Sequence, residues 1–554
     1  MHVLIRPVVF PLIVGTLLIA YKALSHNHKQ DKEYQPVWAL GIANTIFAFL
    51  CVFVRAIPVS VNSDIFPTVV NVAVQVVPTL CGCVANIIAL FILTKMYAEI
   101  KAECSKMYVE IKAGIAKQNR KKVKNGRRGL CPSDIMMYGD PTTELDGNII
   151  VSKHIRIGVD ERKTGINSNM LVIDATGSGK TTNVAYPNIL QMYGSYVISD
   201  SSGMLYKKTA HVLRNRGYEI RVLNMREPEK SDHYNPFCYL NTEADVSELV
   251  SCLMQYLNRN NGFVDQFWNA AARLLLNAII LLLRNYEPEE KQNFATLYDI
   301  LENVYAAPPL KALEKIAEIF EKVAAEDPDS ACVNAYQKFA QVMTANTAYD
   351  IVCEIRENLE DFGARKFVEL TSTDNMGLNK LGDRKTALFI TESSEKETSQ
   401  FVSASLYNRT MAALFDCAAK SGHTRLEHHV TFILDDFPNE YPIPNFTKYM
   451  SCSKKYGISY ILLCRSISLL SEIYHDDTSV IICNCDAIVV MGGKIKNTDD
   501  KTTGFIKERI KFMTLNKSAA DQLISGPNQC IVAIRGSDLF CDEQYSPKDY
   551  PKFV

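Results

Sequence analysis

The chain has almost no net charge. Sixty Lys and Arg stand against 61 Asp and Glu in 554 residues, a formal charge of −1. That balance excludes a protein that holds nucleic acid by bulk charge, so any contact with DNA must come from local patches. Cys-x-x-Cys is also absent. The 16 cysteines are scattered. The closest pairs, Cys81/Cys83 and Cys483/Cys485, are spaced Cys-x-Cys, and no paired His follows at zinc-finger spacing. A zinc-ribbon or disulfide framework is excluded, and the cysteines read as reduced thiols of an intracellular protein. The length excludes a single core, because such cores stop growing near ~250–300 residues.

Charge is locally missing at the N-terminal end. Val8–Tyr21, Val37–Val54 and Ile65–Leu93 are apolar runs without a charged residue. A spanning helix needs ~17–25 mostly apolar residues. The second and third runs satisfy this, and the first is marginal, with a signal peptide flanked by Arg6 as its alternative. Lys22, Lys29 and Lys32 follow the first run. After the third comes the basic segment Lys117–Arg128, which contains no acid. The positive-inside rule then places everything past Lys95 in the cytoplasm, with either two or three spans. The basic segment reads as a lipid-held juxtamembrane anchor or as a DNA-contacting collar, and the two are compatible.

Residues 169–190 carry the first chemistry. A short apolar strand, Met170–Ile173, leads into Asp174-Ala175-Thr176-Gly177-Ser178-Gly179-Lys180-Thr181-Thr182 and then a helical pattern. This is the strand–loop–helix setting of a P-loop, whose glycines let backbone N–H groups close around phosphates at a helix N-terminus. The expected nucleotide-binding residues are Asp174 through Thr182. Lys180 is expected to reach the β- and γ-phosphates, and the Thr181 hydroxyl to ligand Mg²⁺. Asp174 stands where the pattern has glycine, which puts a carboxylate near a polyanion.

Val430–Leu434 is a second buried strand, ending in Asp435 and Asp436. The pattern is that of a Walker B strand, with Asp435 expected in the Mg²⁺ shell and Asp436 expected to position the attacking water. Asp436 is a methylene shorter than the usual Glu, and displacements of about 1 Å cost on the order of a hundredfold in rate. Two more apolar strands, Tyr460–Cys464 and Ala487–Met491, follow. Arg465, at the end of the first, is a candidate γ-phosphate sensor. Between Tyr234 and Leu381 strand signals vanish and apolar residues recur at helical spacing.

Together these residues resemble the type IV secretion coupling proteins of the TraG/TraD kind, with the closest similarity to their Gram-positive branch. Asn148–Gly158 looks like that branch's lead-in to the P-loop. Tyr196–Gly203, Tyr234–Phe237, Phe267-Trp268, Asn293–Ala295, Leu381–Phe389, Asn484–Asp486 and Ile531–Gly536 match further phrases along the cytoplasmic part. The resemblance implies an α/β fold: a RecA-like P-loop motor domain interrupted by an all-α insertion, behind N-terminal transmembrane helices. The expected boundaries are 1–95 for the membrane region, 96–130 for the basic linker, 131–240 and 366–554 for the two parts of the motor domain, and 241–365 for the insertion.

The resemblance also implies ATP and Mg²⁺ as ligands and a ring, expected to be a homo-hexamer, at the cell membrane. In that ring Arg384 is the candidate for reaching a neighbouring subunit's nucleotide. The implied partners are single-stranded DNA with its relaxase, and the ATPase and inner-membrane components of the secretion channel. Departures from the family pattern gather at the chemistry: Asp174 for Gly, Ser201-Ser202 for Pro-Lys, Met204 for an acid, Asp436 for Glu, Pro438 for Ala and Arg465 for Gln. They motivate an alternative in which the chain is a catalytically weakened nucleotide-binding paralogue acting as a substrate receptor. An FtsK-like DNA pump is a further alternative, disfavoured by the size of the insertion. The stretch from Asp538 to Val554 reads as a tail without chemistry.

Overall fold

The structure is a computed structural model. It describes residues 147–173, 179–260, 266–393, 397–420, 425–438, 441–491, 504, 507–510, 513, 528–537 and 539–546. The expected membrane runs, the basic linker and P-loop residues Asp174 to Ser178 lie outside the described residues.

Eleven strands are described: β1 (Asn148–Ile150), β2 (Arg156–Gly158), β3 (Met170–Ile173), β4 (Ser195–Ser199), β5 (Glu219–Asn224), β6 (Thr386–Thr391), β7 (Val430–Phe437), β8 (Ile458–Cys464), β9 (Ala487–Met491), β10 (Gln529–Ile534) and β11 (Leu539–Glu543). β1 and β2 form a small antiparallel hairpin. The other nine form one sheet in the order β11-β10-β9-β3-β8-β7-β4-β6-β5. From β9 to β5 every neighbouring pair is parallel, and β10 and β11 add an antiparallel hairpin at the β9 edge.

The sequences of the central strands explain their position. β3, β6, β8 and β9 are buried at every residue, as expected of parallel strands covered on both faces. Alternate side chains enter two separate cores. Leu171, Ile173, Val197, Phe432, Leu434 and Leu462 face one core. Met170, Val172, Ile198, Ile433, Ile461 and Leu463 face the other, with Val184, Ile189 and Leu213 from the helices that follow β3 and β4.

The first core runs on into the helical segment between β5 and β6. Its main helices are α1 (Glu243–Asn260), α2 (Gln266–Tyr286), α3 (Phe294–Tyr305), α4 (Ala312–Glu326), α5 (Ala331–Ala340) and α6 (Ala345–Asn358). α2 is long and apolar enough to cross a membrane by length and composition. Here its buried Leu275, Leu276 and Ile279–Leu283 instead fill the centre of the helical layer. The layer rests on α7 (Glu397–Lys420), where Phe401 meets Phe294 at 5.8 Å and Phe362 at 6.0 Å between ring centroids.

A buried ion cluster ties the same parts together. Arg409 on α7 is 2% exposed and pairs with Asp245, at 3.2 Å, and with Glu248, both on α1. Asn445 donates to Glu248 at 2.6 Å, and the Tyr449 hydroxyl does so at 3.1 Å. Full pairing is what makes so deeply buried a guanidinium tolerable.

One expectation needs correcting. Leu539–Glu543 is not a featureless tail but the edge strand β11, paired with β10 from Gln529↔Glu543 to Ala533↔Leu539.

Candidate nucleotide site

The site lies at the carboxyl ends of the parallel strands, where β3 is followed in sequence by β4, three places away in the sheet. That crossing leaves a crevice, the usual ligand position in an open α/β sheet. The helix after the phosphate loop begins at Lys180, and its first turn, Thr181–Ala185, is wound as a π-helix. Gly179 has φ +92, a left-handed conformation that side-chain-bearing residues rarely adopt. Lys180 is only 6% exposed.

β8 stands between β3 and β7, yet the two expected metal ligands meet across it. The Thr181 hydroxyl donates to Asp435 Oδ2 at 2.7 Å. Burial pushes the Asp435 carboxyl up to about 6, opposed by the Thr181 hydrogen bond and further raised by the neighbouring Asp436 charge. Lys180 pulls it down more weakly. A buried carboxylate beside a hydroxyl is a hard oxygen pair that suits Mg²⁺, whose charge would stabilise the ionised form. The donor set therefore fits the expected ion.

A bulge in β7 between Leu434 and Phe437 aims the second acid differently. Asp436 sits at φ +57, in the left-handed region, and its own N–H donates to Asp435 Oδ1 at 3.1 Å. Its carboxylate receives Arg465 Nε at 3.1 Å and the Ser201 hydroxyl at 3.3 Å. Non-glycine residues held at such angles gather at functional sites. Ser201 and Arg465, both departures from the family pattern, thus converge on a third, Asp436. The strand ends are also joined by Ser199, whose hydroxyl donates to the Asp435 carbonyl at 3.3 Å.

The expected site residues therefore divide. Lys180, Thr181, Asp435, Asp436 and Arg465 come together, with Gly179 and Thr182 on the same loop and helix. Arg384 does not join them. It precedes β6, at the opposite end of the sheet, is largely exposed, and stands 3.8 Å from Glu219. Sequence reasoning missed Gln544. Its Oε1 accepts from Asn183, in the first turn of the P-loop helix, at 2.9 Å, and no motif marks either amide. Arg409 and Glu248 were also missed, since a buried ion pair leaves no periodic signal in a helix.

Buried parallel strands, a phosphate loop opening a helix, and a hydroxyl–carboxylate pair at the strand ends define the P-loop nucleotide-binding class. Residues 116–522 match the family described as type IV secretory system conjugative DNA transfer, and the chain belongs to that family. It is 23% identical over 316 residues to a probable conjugal transfer protein TraG of Sinorhizobium fredii, covering 56% of this chain and 47% of the relative. It is 20% identical over 357 residues to protein VirD4 of Agrobacterium fabrum, covering 62% and 50%. The chain thus spans about half the length of these curated relatives.

Among solved structures, the unbound bacterial conjugative coupling protein TrwB lacking its N-terminal segment superposes with a TM-score of 0.52 at 15% identity, over 78% of this chain and 98% of that one. TrwB in complex with ADP and Mg²⁺ superposes with a TM-score of 0.50 at 13% identity, over 76% and 94%. At these identities the likeness establishes the fold: an α/β P-loop domain with a helical insertion.

Proposed function

We propose that this chain is a membrane-anchored coupling ATPase that recruits a relaxase bound to single-stranded DNA and drives it into a type IV secretion channel. Its site residues are Lys180 for the phosphates, Thr181 and Asp435 for Mg²⁺, Asp436 for the attacking water and Arg465 for the γ-phosphate. The observation that carries this reading is the Thr181–Asp435 contact at 2.7 Å, which sets a metal-ligand pair beside the buried Lys180. ATP with Mg²⁺ supplies the phosphoryl-transfer step. Lys180 binds and orients phosphate oxygens, while Asp436 and Arg465 face the end of the crevice where the terminal phosphate would lie.

The body is cytoplasmic in this reading, behind two or three spans, and works as a homo-hexamer. The exposed Arg384, remote from its own chain's Lys180, then serves a neighbouring subunit. The channel ATPase and inner-membrane components are the partners downstream.

A second reading rests on the Asp436–Arg465 pair. With its carboxylate engaged by Arg465 and Ser201, Asp436 is held away from base chemistry, as suits a nucleotide-gated receptor with weak hydrolysis. One experiment separates the two. The purified full chain in detergent is assayed for ATP binding and hydrolysis beside Lys180→Ala, and donor cells carrying each form are scored for DNA transfer. The motor reading expects Lys180-dependent turnover and transfer. Lys180-dependent binding without turnover selects the receptor, and absence of binding removes both.

A further inference from the structure

The sheet order gives a bound nucleotide a direction. Asp435, Asp436 and Arg465 lie on the β8–β7 side of β3, so the terminal phosphate belongs there. The nucleoside end must then leave the loop on the other side, toward β9, β10 and β11. On that side the structure places a relay of amides. The Gln529 carbonyl accepts from Gln544 Nε2 at 3.1 Å, and Gln544 Oε1 accepts from Asn183 Nδ2 at 2.9 Å.

The relay fixes which way each amide faces. A carbonyl at one end can only accept, so each amide turns its NH₂ toward β10 and its oxygen away. The last atom in the chain is Asn183 Oδ1, an acceptor. Asn183 lies against the phosphate loop itself. A Cβ added to Gly179 would meet Asn183 Nδ2 at 2.8 Å and Oδ1 at 3.7 Å.

Gln544 is held over the P-loop helix from several directions. Its N–H donates to the Asn528 carbonyl at 2.9 Å. Just before it, Asp542 is 6% exposed and accepts from the Ser152 hydroxyl at 2.5 Å and from His154 N at 3.0 Å, with His154 Nδ1 at 2.7 Å. The Lys153 N–H donates to the Glu543 carbonyl at 2.9 Å. Just after it, the Tyr545 ring lies under the Arg156 guanidinium at 5.4 Å. The β1–β2 hairpin and the C-terminal hairpin thus clamp one glutamine onto the helix that opens the phosphate loop.

We propose that this amide relay is the nucleobase-reading part of the site and selects adenine over guanine nucleotides, an inference that rests on the nucleotide reading above. The 6-amino group of adenine donates to Asn183 Oδ1. The 6-oxo group of guanine sets an acceptor against an acceptor, and the relay prevents the amide from turning to suit it. Asn183 touches the base, and Gln544 is a positioning residue that acts through it.

Binding of ATP, GTP and ITP to the full chain in detergent tests this by calorimetry. ITP shares the 6-oxo group of GTP but lacks the 2-amino group. The expected order is ATP tighter than both GTP and ITP by about tenfold. Gln544→Ala is expected to bring all three within about twofold while the GTP affinity stays near the parent value. A structural role alone would weaken all three together. If Gln544→Ala does not fold by thermal unfolding, Asn183→Ala is expected to level the three affinities in the same way. An unchanged ATP-to-GTP ratio in the folded variants, or ITP binding as tightly as ATP in the parent, overturns the proposal and leaves nucleotide binding standing. Loss of all binding in the parent, as in Lys180→Ala, removes the nucleotide reading with it.

Discussion

Thr181 and Asp435 are 254 positions apart in the chain and 2.7 Å apart in space, joined over the top of an intervening strand. Each is correctly placed only if β3, β8 and β7 are in register, so the contact reports on the whole centre of the sheet. Asp435→Asn keeps the shape and removes the charge. Calorimetry is expected to show the Mg²⁺-dependent gain in nucleotide affinity falling by about 10–100-fold. Without metal the variant is expected to be more stable than the parent by about 1–2 kcal/mol at pH 7, because the buried carboxylate is held above its ordinary range. Lower stability together with undiminished Mg²⁺ dependence counts against the metal role.

Arg465 and Asp436 are both partly exposed, so their ion pair contributes little to folding, under about 1 kcal/mol. Arg465→Ala is expected to leave the melting temperature nearly unchanged and the nucleotide dissociation constant within about threefold. Hydrolysis is expected to fall by about 10²–10³-fold, as when a preorganised charge-stabilising donor is lost. Steady-state and single-turnover rates measure it. Faster hydrolysis in the variant instead marks the pair as an inhibitory lock.

Arg409 behaves differently because it is buried. Arg409→Ala leaves Glu248 and Asp245 facing each other without a cation, and an expected loss of about 3–5 kcal/mol follows. Adding Glu248→Gln is expected to recover part of it, which a double-mutant cycle by chemical denaturation measures. Full additivity rules out the cluster as a unit.

His429 gives an acid-sensitive seam between β7 and β8. Its Nε2 lies 2.8 Å from the Ser459 hydroxyl, and burial pushes the imidazole down to about 3, with nearby Arg425 adding to the effect and Asp160 opposing it. The folded state thus holds His429 neutral, whereas the unfolded chain takes up a proton below about 6.5. The stabilisation is complete above that pH and is lost as pH falls toward 3. Between pH 7.5 and 5 the parent is expected to lose about 2 kcal/mol more than His429→Gln, as read from urea unfolding at the two pH values. Parallel losses contradict this.

Much of the sheet was legible because parallel strands buried on both faces are written as unbroken apolar runs. Met170–Ile173 and Ala487–Met491 stand in the sequence with the limits they have in the structure. The strands that escaped notice, Glu219–Asn224 and Leu539–Glu543, are the two outer edges of the sheet. An edge strand is half solvated, so its apolar pattern is diluted; β5 buries Leu223 alone. The P-loop and paired acids were visible as motifs, but their surroundings were not. That Ser201 and Arg465 share the Asp436 carboxylate depends on strand order, which no local spacing encodes. The Asn183–Gln544 contact likewise joins a helix to a hairpin more than three hundred residues later.

The order of the sheet has a consequence for how the chain must be made. β3, β4 and β5, the first strands of the large sheet to be synthesised, never pair with one another; each is laced between β6, β7, β8 and β9 from beyond the helical segment. The ribosome therefore releases three apolar strands with bare edges well before their neighbours exist, a state prone to aggregation. A chain cut within the helices yields two halves that are each incapable of forming the sheet, yet complementary like the two sides of a zipper when supplied together.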